Sequence, residues 1–144
     1  MVLIRNFKRK DIEEVIYIAE ISLTETYSDE LFYSIYNAKN TIFLVAEINN
    51  TVVGFLSSIY NSKNARLLML AVHPFYRRRG IGSELMDSFL QLCISKGIKR
   101  ITLEVRPSNT DAITFYRKRG FITTDILDDF YTDGEKAIKM VKVY

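Results

Sequence analysis

The spacing of apolar residues divides the chain into segments of strand type and segments of helix type. β-Branched and apolar residues dominate residues 41–72, and polar turns interrupt this stretch at 49–50 and 61–64. The pattern predicts three consecutive antiparallel strands joined by tight turns. The strands predicted for the whole chain are 2–4, 41–48, 51–60, 65–72, 100–105, 121–127 and 137–144, with the last pairing with its predecessor.

Apolar residues at helical spacing mark the other segments. The predicted helices begin at Asp11, at Ser28, at residue 84 and at Ser108 or Asn109, and the first, third and fourth end near 22–24, at Gly97 and at Gly120. Three consecutive antiparallel strands are not typical of a repeating βαβ fold. We therefore predict an α+β (mixed α/β) fold. Its mostly antiparallel mixed sheet has about seven strands, is flanked by about four helices, and belongs to one domain spanning residues 1–144.

Composition narrows the class of protein. The chain has 144 residues, of which 48% are hydrophobic and 26% charged, as expected for a globular domain with a real core. No apolar run approaches the ~18 residues that cross a bilayer, and the N-terminus lacks the pattern of a signal peptide. We expect a cytoplasmic protein with no membrane association.

The chain is poor in metal-ligating side chains. Cys93 and His73 are its only cysteine and histidine, which excludes an internal disulfide and argues against a metal site. Cys93 lies on the apolar stripe of the third predicted helix and is expected in the core. His73, directly after a predicted strand, is expected to be a turn residue.

Positive charge is concentrated at one place. The net charge of +3 equals the number of arginines in the run 77–79, and no second basic block indicates nucleic-acid binding. The run follows a predicted strand and precedes Gly80-Ile81-Gly82 and a helix. Backbone N–H groups at a helix start are unpaired and carry partial positive charge, and glycine lets an anion approach them closely. This turn is therefore predicted to hold a pyrophosphate.

Two common phosphate-binding motifs do not fit the turn. A dinucleotide fingerprint requires a third glycine where this chain has Leu85, and a P-loop requires a Gly-Lys-Ser/Thr ending that is absent. The pattern that remains is Arg77-x-x-Gly80-x-Gly82 after a strand.

This pattern resembles a known cofactor-binding signature. Residues 72–82 resemble the coenzyme A cradle of the GNAT superfamily of N-acetyltransferases, Arg/Gln-x-x-Gly-x-Gly/Ala after a strand. Residues 103–121 resemble the second half of the family pattern, and most of all that of the RimI branch and the catalytic subunits of N-terminal acetyltransferases. Residues 131–137, with Met140, are similar to the closing segment of that branch. The resemblance covers nearly the whole chain and implies the GNAT fold, with acetyl-CoA as co-substrate.

The resemblance also implies roles for individual residues. The strand backbone at 70–72 would hold the pantetheine arm and polarise the thioester carbonyl. The N–H groups of 78–83 would hold the pyrophosphate, Asn109 would contact the pantetheine, and Tyr116 would return a proton to the departing thiolate. The implied cofactor-binding residues are Leu70, Ala71, Val72, Arg77, Arg78, Arg79, Gly80, Ile81, Gly82, Ser83, Asn109 and Tyr116. The loops flanking the substrate supply Glu25, Tyr27 and Tyr131.

Glu104 is the candidate general base. A free α-amine has a pKa of about 8, so much of it is protonated at neutral pH, and a carboxylate can remove that proton directly or through water. Strand alternation directs Glu104 to the face opposite Ile101 and Leu103. The structural alternative is an exposed carboxylate that pairs with Arg100 or Arg106.

Together these roles predict direct acetyl transfer to the α-amine of a protein N-terminus in a ternary complex, without a metal or a covalent enzyme intermediate. The first alternative is a GNAT enzyme for another amine, such as a lysine side chain, a polyamine or a small molecule. The second is a non-catalytic acyl-CoA-binding sensor, which is favoured if Glu104 faces solvent. The preferred N-terminal residue, and any need for an auxiliary subunit or the ribosome, stay open.

Overall fold

A seven-stranded mixed sheet forms the centre of the protein, and the computed structural model describes all 144 residues. The strands are β1 (Leu3–Asn6), β2 (Thr41–Ile48), β3 (Thr51–Asn61), β4 (Asn64–Val72), β5 (Arg100–Val105), β6 (Ile122–Leu127) and β7 (Ala137–Val143). They lie in the order β1-β2-β3-β4-β5-β7-β6, and every neighbouring pair is antiparallel except β4 and β5. The mostly antiparallel mixed sheet is confirmed, as is the pairing of the last strand with its predecessor.

Helices cover both faces of the sheet. They are α1 (Ile12–Ser22), α2 (Asp29–Asn37), α3 (Ile81–Ser95) and α4 (Thr110–Lys118). One core contains Leu85, Phe89 and Cys93 of α3, and the other contains Val15 of α1 and Phe32 of α2, each packed against one face of the sheet. Cys93 is fully buried, as its place on the apolar stripe predicts. No helix combines the length and the apolar character needed to cross a membrane.

The start of the third predicted helix and the predicted side-chain cap of the first are corrected by the structure. The third helix begins at Ile81 rather than at residue 84, because Gly80, in the left-handed region at φ +77°, is its N-cap and Ile81 is buried in the core. Asp11 stands at the N-cap of α1 but its side chain does not cap the helix. Its carboxylate instead accepts hydrogen bonds from the Arg5 guanidinium and from the N–H of Lys8.

The other two helix starts are confirmed. The Ser28 hydroxyl accepts a hydrogen bond from the N–H of Leu31, 3.3 Å away. Of the two residues predicted for the fourth helix, Asn109 is the cap, and its side-chain oxygen accepts from the N–H of Ala112 at 3.2 Å. His73 is a turn residue as predicted, since its Nδ1 accepts from the N–H of Phe75.

β4 and β5 diverge soon after they meet. They pair only from Asn64–Arg100 to Arg66–Thr102, although both strands continue beyond these residues. On its other edge β4 has a register shift opposite Ser57 and Ser58, which leaves Leu68 without a partner on β3. Such a bulge bends a strand and increases its twist. The result is a fork between β4 and β5 that opens into a large cavity.

Candidate active site

The fork between β4 and β5 is the mouth of a cavity of about 1030 Å³. Its walls come from both strands, from α4, from the loop between α1 and α2, and from the loop between β6 and β7. The volume is at the upper end of the range for small-molecule sites. The predicted site residues in its wall are Glu25, Tyr27, Leu70, Ala71, Val72, Arg77, Gly82, Glu104, Asn109, Tyr116 and Tyr131. Arg78, Arg79, Gly80, Ile81 and Ser83 form the adjoining turn, outside that wall.

The glycine turn presents a row of unpaired donors. The N–H groups of residues 78–83 donate no hydrogen bond to any backbone or side-chain acceptor of the protein. Gly80 requires its glycine because of its positive φ, whereas a Cβ at Gly82 would meet only Val72, at an ordinary 3.8 Å. Packing within the protein therefore does not explain Gly82. A group that approaches the backbone closely does, and these donors fit a pyrophosphate.

Two arginines of the turn are held by groups of the protein. Arg77 Nε donates to the carbonyl of Val72, 3.1 Å away, which also accepts from the hydroxyl of Ser22. The Arg79 guanidinium lies over the rings of Phe75 and Tyr76, 5.8 and 5.2 Å from their centroids. Arg77 thus ties the turn to the end of β4, whereas the Arg78 side chain has no hydrogen-bond or ion-pair partner in the protein.

Glu104 faces the cavity rather than bulk solvent. Ile101, Leu103 and Val105 are buried on the opposite face of β5, as the alternation predicts, and the Glu104 side chain is 14% exposed. Its Oε1 accepts two hydrogen bonds from Arg66, from Nε at 3.0 Å and Nη2 at 2.7 Å.

The partner of Glu104 differs from the one considered in the sequence. Neither Arg100 nor Arg106 pairs with it, and Arg66 of β4 does. Arg66 and Glu104 are 38 residues apart in the chain, so local spacing cannot indicate the pair. Only the parallel pairing of β4 with β5 places them side by side.

Tyr116 lies on α4 between aromatic rings. It packs edge-on against Phe115 and Phe121, with centroid distances of 5.5 and 5.8 Å. Burial, and secondarily the nearby Tyr131, raises the pKa of Tyr116 to about 12. The hydroxyl therefore keeps its proton at neutral pH and is available as a donor.

Asn109 has a double role. Its side-chain oxygen caps α4, while its side-chain NH₂ group donates to no acceptor of the protein. Because the residue lies in the cavity wall, that NH₂ group is free for a ligand.

Arg106, which the sequence did not single out for the site, joins the two loops that flank the cavity. It follows β5, its side chain is only 13% exposed, and its guanidinium donates to Glu25, Asp133 and Glu135. The guanidinium lies over the ring of Tyr131, with its Cζ 4.1 Å from the ring centroid. Glu25 belongs to the α1–α2 loop, and the other two carboxylates belong to the β6–β7 loop. A single side chain therefore fixes the distance between the loops.

The charges of this cluster shift several pKa values. The hydrogen bonds from Arg106 hold the pKa of Glu135 below its usual value. Burial, and then Glu25, raises the pKa of Tyr131 to about 12, and the same two causes raise the pKa of Tyr27. The sequence indicated Glu25, Tyr27 and Tyr131 individually. Their grouping around one guanidinium, that of Arg106, depends on the fold.

The sequence as a whole matches a known family. Residues 12–121 match the model of the acetyltransferase (GNAT) family. This chain belongs to that family. The resemblance noted in the glycine turn and in residues 103–121 is thereby confirmed.

Named relatives cover almost the full chain. The N-alpha-acetyltransferase of Sulfurisphaera tokodaii is 31% identical over 95% of this chain and 90% of its own length. A putative ribosomal protein bS18-alanine N-acetyltransferase of Bacillus subtilis is 32% identical over 95% of this chain and 92% of its own. The resemblance to the RimI branch and to N-terminal acetyltransferases agrees with both.

Solved GNAT structures have the same fold. Ard1 of Thermoplasma volcanium is 40% identical, with a TM-score of 0.93 over 99% of this chain and 97% of its own. The PaiA N-acetyltransferase of Thermoplasma acidophilum, 26% identical with a TM-score of 0.79 over 100% of this chain and 99% of its own, was solved in complex with coenzyme A. No cluster of three or more His, Cys, Asp or Glu side chains in this GNAT protein is arranged to hold a metal ion.

Proposed function

We propose that this protein transfers the acetyl group of acetyl-CoA to the α-amine of a protein N-terminus. One observation carries the proposal: a single cavity joins the strand end beside the glycine turn, the carboxylate of Glu104 and two loops suited to a peptide. The relatives named N-alpha-acetyltransferase and bS18-alanine N-acetyltransferase support this class of acceptor.

The cofactor half of the site consists mainly of backbone. The unpaired N–H groups of residues 78–83 suit the pyrophosphate of coenzyme A. Beyond Arg66 the edge of β4 that faces the fork has no partner strand, so its free N–H and C=O groups can pair with the amides of the pantetheine arm. The side-chain NH₂ of Asn109 and the wall of β4 at 70–72 complete this half. When bound, acetyl-CoA supplies the acetyl group as an activated thioester.

Glu104 is the proposed base that prepares the amine. Its Oε1 is occupied by Arg66, while its Oε2 has no partner in the protein and is free to accept a proton. An α-amine with a pKa of about 8 is largely protonated at neutral pH, so removal of a proton is needed before it can attack. The position of Glu104 in the cavity wall disfavours the acyl-CoA sensor, which required this side chain to face solvent.

Tyr116 is the proposed donor to the departing sulfur. The new bond forms between the amine nitrogen and the acetyl carbon as the carbon–sulfur bond breaks. Glu104 takes one proton from the ammonium group before the attack and passes it to solvent, and the nitrogen loses a second proton to solvent as the amide forms. The hydroxyl of Tyr116 gives a proton to the sulfur and is then reprotonated from solvent. Its raised pKa of about 12 means that it meets the sulfur as a protonated hydroxyl and not as a phenolate.

The acceptor enters between the two loops. Tyr27 and Tyr131 line the cavity there, and Arg106 holds the loops in place through Glu25 and Glu135. Glu25 and Glu135 pair with Arg106 and belong to the entrance loops, whereas Glu104 lies on β5 across the fork from β4, so Glu104 is the carboxylate that we assign to the incoming ammonium group.

The experiment is an acetylation assay with two matched sets of peptides. One set has a free α-amine, and the other has a blocked α-amine and one internal lysine. Release of the coenzyme A thiol and mass-spectrometric location of the acetyl group are measured. We expect acetylation of the α-amine only, and loss of at least ~10²-fold in kcat in Glu104→Gln, with Glu13→Gln on the exposed face of α1 as the matched control. Acetylation of lysine in the blocked set favours another amine class, and binding of acetyl-CoA without turnover on any peptide contradicts the proposal.

A further inference from the structure

Arg66 occupies a particular point in the sheet. It is the last residue of β4 that pairs with β5, and beyond it the two strands separate. Glu104 lies two residues beyond Thr102, the partner of Arg66, on the same face of β5. The guanidinium therefore reaches across the base of the fork, from the strand that faces the cofactor to the strand that carries the proposed base.

The hydrogen bonds between the two side chains are asymmetric. Arg66 Nε and Nη2 both donate to Oε1 of Glu104, at 3.0 and 2.7 Å, and none of its donors is bonded to Oε2. Two charged donors that converge on one oxygen fix the position of Oε1, and this limits how far the carboxylate can turn. One oxygen is held, and the other remains available in the cavity.

The pair is poorly suited to a purely structural role. The Arg66 side chain is 47% exposed, and partly exposed ion pairs contribute little to the stability of a fold. The core beside it is formed by apolar residues such as Leu67 and Leu103, which do not depend on the pair. Because the pair lies in the cavity wall, we expect it to affect the reaction more than the stability of the fold.

We propose that Arg66 is a positioning residue that orients the Glu104 carboxylate with Oε2 towards the acceptor amine. The inference rests on the proposed function, in which Glu104 takes the amine proton. Arg66 itself neither donates nor accepts a proton in the reaction. Arg66 keeps the carboxylate in the orientation in which it can take the proton. Its contribution is therefore to kcat and not to the binding of acetyl-CoA.

The test is a double-mutant cycle between the two residues. The enzymes compared are the wild type, Arg66→Met, Glu104→Gln, the double variant, and the conservative variant Arg66→Lys. Arg100→Met, an exposed arginine on β5 outside the cavity wall, is the matched control. Each protein is assayed for kcat and for both KM values, and acetyl-CoA-induced thermal stabilisation verifies that it is folded and binds the cofactor.

We expect Arg66→Met to lower kcat about tenfold, a part of the full contribution of a general base, with the KM for acetyl-CoA changed less than about twofold. Arg66→Lys recovers part of the rate because it restores the charge but not the two-pronged contact. In the Glu104→Gln background, Arg66→Met has no further effect, because the residue acts through Glu104.

Two results overturn the inference while the proposed function stands. One is full turnover by Arg66→Met, and the other is an equal fold-loss of rate on adding Arg66→Met to the wild type and to Glu104→Gln. If the wild type acetylates an amine other than an α-amine, the same cycle is run with that acceptor, since the inference concerns the base and not the amine class. If no amine is acetylated although acetyl-CoA binds, the proposed function and this inference both fail.

Discussion

The two halves of the cavity are formed by different chemical groups, backbone amides in one and charged side chains in the other. The proposed cofactor half is mainly one continuous stretch, residues 70–83, in which a strand end and a helix start present backbone groups, with the side chain of Asn109 added from the start of α4. The acceptor half consists of loops from distant parts of the chain, held together by the side chain of Arg106. A site made of backbone is fixed by local conformation, whereas a site made of ion pairs depends on the packing of several elements. The two halves should therefore respond differently to substitution.

The largest of these effects is expected where the halves meet, at Tyr116, the proposed proton donor. Tyr116→Phe should lower kcat by about 10²-fold, because the departing sulfur loses its donor. Tyr131→Phe is the matched control, since it removes a hydroxyl from the same cavity, whose pKa is likewise raised to about 12, but leaves the ring on Arg106. Steady-state kinetics on both variants distinguish the two tyrosines. A larger loss of kcat in Tyr131→Phe than in Tyr116→Phe would assign the role of proton donor to Tyr131 instead.

The second effect is confined to the acceptor half. Arg106→Met leaves Glu25 and Glu135 without their common partner, so the two loops are no longer held at one distance. We expect the KM for the peptide to rise about tenfold while the KM for acetyl-CoA stays within about twofold. Arg100→Met serves as the control for loss of an arginine. A parallel rise in both KM values would show that the halves are not independent.

A smaller effect is expected in the cofactor half. Gly80 has φ +77°, a left-handed conformation that costs other residues about 1–2 kcal/mol. In Gly80→Ala the turn should relax away from this conformation, and the KM for acetyl-CoA should rise about fivefold or more. Gly97→Ala is a close control, with φ +75° and equally open surroundings at the end of α3. Equal KM values for the two variants would contradict the role of the glycine turn.

The smallest effect concerns acid stability at the start of α1. Burial alone raises the pKa of Asp11, but the hydrogen bonds from Arg5 and from the N–H of Lys8 outweigh it and leave the pKa below its usual value. A carboxylate with a lowered pKa stabilises the fold above its unfolded pKa of about 3.9, and this contribution is lost as pH falls through the folded pKa. Urea unfolding below about pH 4 should therefore show a steeper loss of stability in the wild type than in Asp11→Asn.

The control for this acid effect is Asp128→Asn, at an exposed turn position. It should keep the wild-type pH dependence. Asp11→Asn should lose part of that dependence, because Asp11 and its partner Arg5 join the start of α1 to the sheet. The same slope in Asp11→Asn and the wild type would contradict this.

Local pattern was sufficient for most of the architecture. Runs of β-branched and apolar residues bounded by turns predicted the strands, and Ser28, Asn109 and Gly120 marked helix ends, because these signals act over a few residues. The two places where local pattern was wrong depend on side-chain contacts that spacing does not show. The Asp11 carboxylate bonds to Arg5 and to the N–H of Lys8 instead of capping α1, and α3 begins at Ile81, whose side chain is buried in the core.

The candidate site likewise has features that local sequence predicted and features that depend on the fold. The sequence alone determined the glycine turn with its row of backbone donors and the cavity-facing side of Glu104, because backbone conformation and strand alternation are local properties. Only the tertiary structure decided that β4 and β5 separate beyond Arg66, that Arg66 rather than Arg100 or Arg106 holds Glu104, and that one guanidinium joins the two acceptor loops. These contacts join residues 27 to 81 positions apart, and charged side chains find such partners only when the fold brings them together.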